Sequence, residues 1–337
     1  MLFKAVLQVV TLLVLLPFAL SFAPSHRTTA GLLTLQSATT GVEDNQNSLK
    51  MLQCNENTKA CFAGKSILLT GASGGLGSSL AKQLACCQVD TLILSGRKKE
   101  ALEKVAEECQ TLSSSTSIHI ITCDLADKES VKKLGEESLA LCGIIDVLVN
   151  NGGVSSRSDF LDTQLAVDER LMQINFFAGA SLAKALVPKM VEKKSGNIIW
   201  ISSVQGLIGI PSRTSYAASK FAVQGYCESL RAEMASSGVT VHVASPGYIR
   251  TGLSLAALTG NGKPHAQMDE TTANGADPDE VAVNTLKSVA EGKGDFVLAA
   301  SFSSKVAIWL RLLFPSMLQK LLVKRFNKAK AVKDKND

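Results

Sequence analysis

The sequence predicts an α/β protein: a single doubly wound parallel sheet of about seven strands, with helices on both faces. Three observations carry this. Short apolar runs alternate with segments of helical period along most of the chain. A glycine-rich turn joins the first such run directly to a helix. Finally, 46% of the 337 residues are apolar and only 19% are charged, enough to cover a sheet on both sides.

The first strand reads from Lys65-Ser66-Ile67-Leu68-Leu69-Thr70, apolar and ending in a turn signal. Gly71-Ala72-Ser73-Gly74-Gly75-Leu76-Gly77 follows, and Ser78 to Gln88 carries helical periodicity. A strand, a glycine turn and a helix N-terminus make a pyrophosphate site. Outward backbone N–H groups and the helix dipole favour the anion, and missing β-carbons let it approach. The spacing is Thr-Gly-x-x-x-Gly-x-Gly, not the plain Gly-x-Gly-x-x-Gly fingerprint. Further strands are expected near 91–96, 117–122, 146–150, 196–201, 240–245 and 295–299, with helices in the gaps. This is a Rossmann-type arrangement. In Ser215-Tyr216-Ala217-Ala218-Ser219-Lys220, the tyrosine and the lysine four residues on share a helix face. A cation beside a phenol favours phenolate and lowers its pKa, so Tyr216 is a candidate acid or base.

Taken together and in this order, these motifs resemble the short-chain dehydrogenase/reductase family, over roughly Gly64 to Leu298. Asp124 matches the family's aspartate near the adenine ring. Asn150-Asn151-Gly152-Gly153 matches its Asn-Asn-Ala-Gly turn, Gly152 replacing alanine, a departure that removes only a methyl. Asn175, Ser203, Tyr216 and Lys220 match the catalytic tetrad, and Pro246-Gly247-Tyr248-Ile249-Arg250-Thr251 the loop that cradles the nicotinamide. The resemblance implies that Ser203 and Tyr216 bond the carbonyl oxygen and Tyr216 supplies the proton. Lys220 would lower the tyrosine's pKa and hold the nicotinamide ribose, and Asn175 would anchor a water beside Lys220. Thr70, Gly71, Ser73, Gly75, Leu76, Gly77, Asp124, Asn151, Pro246, Gly247, Ile249 and Thr251 would bind the cofactor with Tyr216 and Lys220. At the end of the second strand, where a carboxylate selects NAD, the chain has Gly96 followed by Arg97 and Lys98. A guanidinium suits a 2′-phosphate, so NADP(H) is preferred over NAD(H).

The implied activity is NADPH-dependent reduction of a lipophilic ketone or aldehyde. Leu253, Leu255 and Leu258 would line the substrate pocket within a loop and lid over 250–276. The alternatives are a 3-oxoacyl reductase of plastid fatty-acid synthesis, a steroid or retinoid dehydrogenase, an acyl-dihydroxyacetone-phosphate reductase, and a non-catalytic NADP(H)-binding membrane scaffold. The net charge of +5 without an aromatic-interleaved basic patch argues against nucleic acid. The eight cysteines lack metal-ligand spacing and the histidines are scattered, so no metal site is expected. The cysteine pattern suggests a reducing compartment.

Residues 1–23 form a hydrophobic leader, a signal peptide or membrane anchor. Residues 24–63 read as a transit-like or linker segment, polar from 43 onward. The catalytic domain is expected over 64–300 and an amphipathic basic extension over 301–337, split by Pro315 into two helices or one kinked one. Localisation is expected at a membrane, either in a plastid through a bipartite presequence or at the endoplasmic reticulum. The extension looks like that of the membrane-associated dehydrogenase/reductase member 7 branch. Homodimers or homotetramers are expected from the family.

Overall fold

The computed structural model describes residues 54–333, so the leader and most of the transit-like segment lie outside the described residues. The chain runs α1 (Glu56–Phe62), β1 (Ser66–Thr70), α2 (Gly75–Cys86), β2 (Thr91–Gly96), α3 (Lys99–Leu112), β3 (Ser117–Thr122), α4 (Lys128–Cys142), β4 (Val147–Asn150) and α5 (Leu165–Met172). It continues through α6 (Ala178–Lys193), β5 (Gly196–Ile201), α7 (Thr214–Met234), β6 (Val239–Pro246), α8 (Glu270–Ala273), α9 (Pro278–Ala290), β7 (Asp295–Leu298), α10 (Phe302–Leu313) and α11 (Pro315–Lys333). The seven strands form one sheet in the order β3-β2-β1-β4-β5-β6-β7, all neighbours parallel.

Strand alternation divides the core in two. Ile67, Leu69, Leu92, Leu94, Val147, Val149 and Ile199 pack with Leu80 and Leu84 of α2, Leu102 of α3 and Leu286 of α9. The residues between them, Leu68, Ile93, Leu148, Ile198 and Trp200, pack on the other side with Leu134 of α4, Leu182 and Leu186 of α6 and Val223 of α7. Strands buried on both faces read as continuous apolar runs, which is why they were legible in the sequence. The strand order reverses between β1 and β4, and the carboxyl ends of these strands leave a crevice there.

Two expectations about the N-terminal side are corrected. The stretch read as a polar linker contains α1, started by the Asn55 side chain accepting from the Thr58 N–H and ending in the wholly buried Phe62. Cys54 also forms a disulfide with Cys87 at the end of α2, Cα atoms 5.9 Å apart across 33 residues. That bridge stands against the reducing-compartment reading. It joins segments too far apart in sequence for spacing to reveal. Among the remaining cysteines, burial pushes the Cys109 thiol up to about 12 and raises Cys227 further, so both are inert core groups.

At the other end, Pro315 opens a new helix, giving α10 and α11 as two separate helices. They expose Phe302, Trp309, Leu312, Leu313, Phe314, Met317 and Leu321, while Leu318 is buried. Arg311 lies over the Phe221 ring at 4.6 Å, tying α10 to α7. No helix among the described residues is long and apolar enough to cross a membrane.

Candidate active site

A cleft of about 540 Å³ opens at the crevice and brings together residues from every carboxyl-end loop between β1 and β6. Thr70, Gly71, Ser73, Gly75, Leu76, Gly77, Arg97, Asp124, Asn151, Ser203, Tyr216, Lys220, Pro246, Gly247, Ile249 and Thr251 all line it.

The glycine turn is compact because β-carbons are missing where the backbone doubles back. Gly71 has φ +63°, and a methyl group on Gly77 would sit 2.0 Å from the Gly71 carbonyl oxygen. Asn151 fastens the turn from β4, its side-chain amide donating to the carbonyls of Thr70 at 3.0 Å and Gly71 at 3.2 Å. The Thr70 hydroxyl accepts from the backbone N–H groups of Asn151 and Gly152, both at 3.1 Å. The N-cap of α2, Gly74, gives no side-chain cap, and the first turn holds no acidic residue. The positive end of α2 is therefore left for an anion, which fits a pyrophosphate. Gly152 is less innocent than its missing methyl suggests: that methyl would lie 2.4 Å from Leu125 Cδ1, so the Leu125 side chain occupies the space.

At the end of β2, Arg97 lines the cleft and Lys98 does not; Lys98 is the exposed residue preceding α3. Successive residues of an extended segment point to opposite sides, so only one of the two cations reaches the cleft. The Cys123 N–H bonds the Gly96 carbonyl at 2.9 Å, bringing Asp124 alongside. The Asp124 carboxylate accepts from the Ala126 N–H at 3.0 Å.

Tyr216, Ser203 and Lys220 are buried in the same cleft. Lys220 Nζ lies 5.8 Å from the Tyr216 ring centre and donates to the Ile201 carbonyl at 2.8 Å. Burial lowers the Lys220 ammonium to about 8. The expected depression of the tyrosine is not what this environment produces. Burial raises the Tyr216 phenol, and the opposing pull comes from the Ser203 hydroxyl and the Arg157 and Arg213 charges. Desolvation of the phenolate outweighs the neighbouring cations in the protein alone.

Asn175 does not line the cleft; it sits behind it in one π-helical turn, Gln173–Phe177, between α5 and α6. The side chain accepts from the Val154 N–H at 2.8 Å and donates to the Val154 carbonyl and Ser219 Oγ, both at 2.9 Å. The wide turn thus ties the loop after β4 to α7. A methyl on Gly153 would lie 3.1 Å from Asn175 Oδ1 and 3.6 Å from Lys220 Nζ, so the glycine keeps that approach open.

Of the expected pocket leucines, Leu253 alone lines the cleft; Leu258 is buried in a cluster with Tyr216 and Leu255 is exposed, and neither is part of the lining. The sequence reading passed over Arg157, Arg213 and, as a side chain, Tyr248, all of which line the cleft. Arg213 lies three residues before Tyr216 and could have been noticed. Arg157 meets its partner Asp269 across 112 residues, which leaves no sequence signal.

Residues 65–260 match the family model described as short chain dehydrogenase. "Dehydrogenase/reductase SDR family protein 7-like" of Anopheles gambiae is 44% identical over 270 residues, spanning 79% of this chain and 84% of that protein. A short chain dehydrogenase/reductase from Burkholderia phymatum, solved in complex with NAD, aligns with a TM-score of 0.66 at 21% identity, covering 76% of this chain and 95% of that one. A short-chain dehydrogenase from Sphingobium yanoikuyae, solved in complex with NADPH, aligns at 0.63 and 24%, covering 77% and 95%. These two structures speak for the fold, and the Anopheles relative for the branch within it. On that likeness and the family match across more than half its length, the chain belongs to the short-chain dehydrogenase/reductase family and is an NAD(P)-dependent oxidoreductase.

Proposed function

We propose that the protein reduces a lipophilic ketone or aldehyde with NADPH, Tyr216 acting as the proton donor. The observation that carries this reading is Tyr216, Ser203 and Lys220 sharing one cleft with the glycine turn and the uncapped start of α2. The turn and α2 would hold the pyrophosphate, Arg97 the 2′-phosphate, Asp124 the adenine side, and the loop from Pro246 to Thr251 the nicotinamide. When bound, the cofactor supplies the hydride. Ser203 and Tyr216 donate hydrogen bonds to the carbonyl oxygen and disperse the alkoxide charge that develops there. The raised pKa of Tyr216 keeps its phenol protonated at neutral pH, the state a donor needs in the reductive direction. Lys220 places a cation beside the ring, and Asn175 holds the loop and α7 together around it.

Leu253, which lines the cleft, favours an apolar substrate body. The exposed apolar residues of α10 and α11, interspersed with Lys305, Arg311, Lys320, Lys324 and Arg325, suit the interface of an anionic membrane. No acidic residue falls between Asp295 and Asp334 to oppose that contact.

The test is NADPH oxidation by the full chain across medium- and long-chain ketones, aldehydes and 3-oxoacyl thioesters, beside Tyr216→Phe. Turnover should fall by roughly two to four orders of magnitude in the variant while NADPH affinity holds. NADPH binding with no carbonyl turned over by the native chain would favour a non-catalytic NADP(H)-binding scaffold.

A further inference from the structure

We infer that Arg157 and Arg213 form an anion subsite at the carbonyl end of the cleft, and that the substrate carries an acidic group a few bonds from the carbonyl. The carbonyl part of this rests on the reductase reading above; the anion part does not. Both guanidinium groups line the cleft, from the loop after β4 and the residue preceding α7, with side chains only 11% and 13% exposed. They share a single carboxylate, Asp269, and both reach the same oxygen of it. Arg157 Nε donates to Asp269 Oδ2 at 2.8 Å and its Nη2 donates to that atom too, while Arg213 Nη2 reaches it at 3.5 Å. Burial pushes the Asp269 carboxyl up, but the Arg157 hydrogen bond and the two cations outweigh it and hold it below the usual range. The carboxylate therefore stays ionised, and two cations against one anion leave a single positive charge largely withdrawn from water.

A buried charge without a partner is costly, so the site is complementary to one more negative group. The free capacity lies on Arg213. Arg157 has four of its five donors engaged, its Nη1 also donating to Ser155 Oγ at 2.6 Å and the Ser156 carbonyl at 2.7 Å. Arg213 makes only the one long contact, which leaves most of its fork of donors unused. Its guanidinium lies 6.0 Å from the centre of the Tyr248 ring, and the Tyr248 hydroxyl is buried with no hydrogen-bond partner. A guanidinium and a phenol, both short of acceptors and both in the cleft that holds Tyr216, match the oxygens of a carboxylate or a phosphate monoester. A purely structural clasp on the loop carrying Asp269 would use Arg213 at closer range and would leave no orphaned hydroxyl beside it. The subsite is separate from the expected 2′-phosphate position, which Arg97 marks at the end of β2.

The experiment measures binding to the full chain in detergent, saturated with NADP+ so that no turnover occurs. The probes are levulinate, methyl levulinate and the phosphate monoester of the corresponding keto alcohol, titrated by calorimetry. At least one acidic probe should bind about tenfold or more tighter than the neutral ester. Arg213→Gln should abolish that advantage without changing the Kd for NADP+ or for the ester, and Arg213→Lys should keep part of it. The better of the two acids identifies the group. Equal affinity of acids and ester for the native chain overturns the inference, as does an advantage that survives Arg213→Gln. Should Arg213→Gln lose NADP+ affinity through misfolding, Arg213→Lys decides: an acid preference no weaker than the native one overturns the proposal, and a reduced one supports it. Acid preference without reduction of any ketone by NADPH would sink the reductase reading and leave the subsite. Reduction without acid preference would do the reverse.

Discussion

Replacing Lys220 with methionine isolates the cost of burying its ammonium. The side chain is 5% exposed, bonded through Nζ to the Ile201 carbonyl, and its pKa falls from 10.5 to about 8 because burial disfavours the charged form. A folded pKa below the unfolded one means that between these two values the unfolded chain binds more protons. Stability therefore rises with pH across that window. Each unit is worth about 1.4 kcal/mol, so the full window contributes about 3 kcal/mol, absent below pH 8 and complete above pH 10.5. Groups remote from Lys220 titrate there too, but they are common to both proteins and cancel in the difference, and the neighbouring Tyr216 phenol, raised by burial, titrates above most of the window. Lys220→Met also loses a hydrogen bond and alters packing, which offsets the two stability curves without tilting them. Urea unfolding of both proteins at intervals from pH 7 to 10.5, followed by tryptophan fluorescence, should give a stability difference that shifts by about 3 kcal/mol in favour of the native lysine as pH rises. Parallel curves would refute the claim that Lys220 is held as a desolvated ammonium.

Arg97→Ala should weaken NADPH binding about tenfold or more and leave NADH nearly unchanged, as measured by fluorescence titration of each cofactor. Equal losses for both would remove the 2′-phosphate role. Phe62→Ala should cost about 3–5 kcal/mol in urea unfolding, since Phe62 is wholly buried among α2 and α9 side chains; a loss under ~1 kcal/mol would return α1 to the status of a linker. Trp309→Glu, at an exposed position on α10, should reduce co-sedimentation with phosphatidylserine vesicles without changing thermal stability. Native binding should also weaken as salt rises. Vesicle binding unaffected by the substitution would place any membrane contact elsewhere.

Local order along this chain follows from patterns a few residues long. The inner strands were readable because a strand buried on both faces must be apolar along its length, as in Ile67-Leu68-Leu69, whereas the half-exposed edge strands β3 and β7 were readable from their place in the alternation with helices. The glycine turn was readable because only glycine tolerates a carbonyl 2.0 Å from where its β-carbon would be. Tyr216 and Lys220 were readable because one helical turn sets their distance. Those features sufficed to place the family and most of the cleft lining. Everything that depends on two distant segments meeting was left to the folded chain. The Cys54–Cys87 bridge, the docking of α1, Leu125 filling the space beside Gly152, and the Arg157–Asp269–Arg213 cluster each join segments 27 to 112 residues apart or more tightly packed than spacing can foretell. The direction of the Tyr216 pKa belongs to the same class. A sequence shows that a lysine is near, but only the packed structure sets how much water is lost, and here desolvation outweighs the charge.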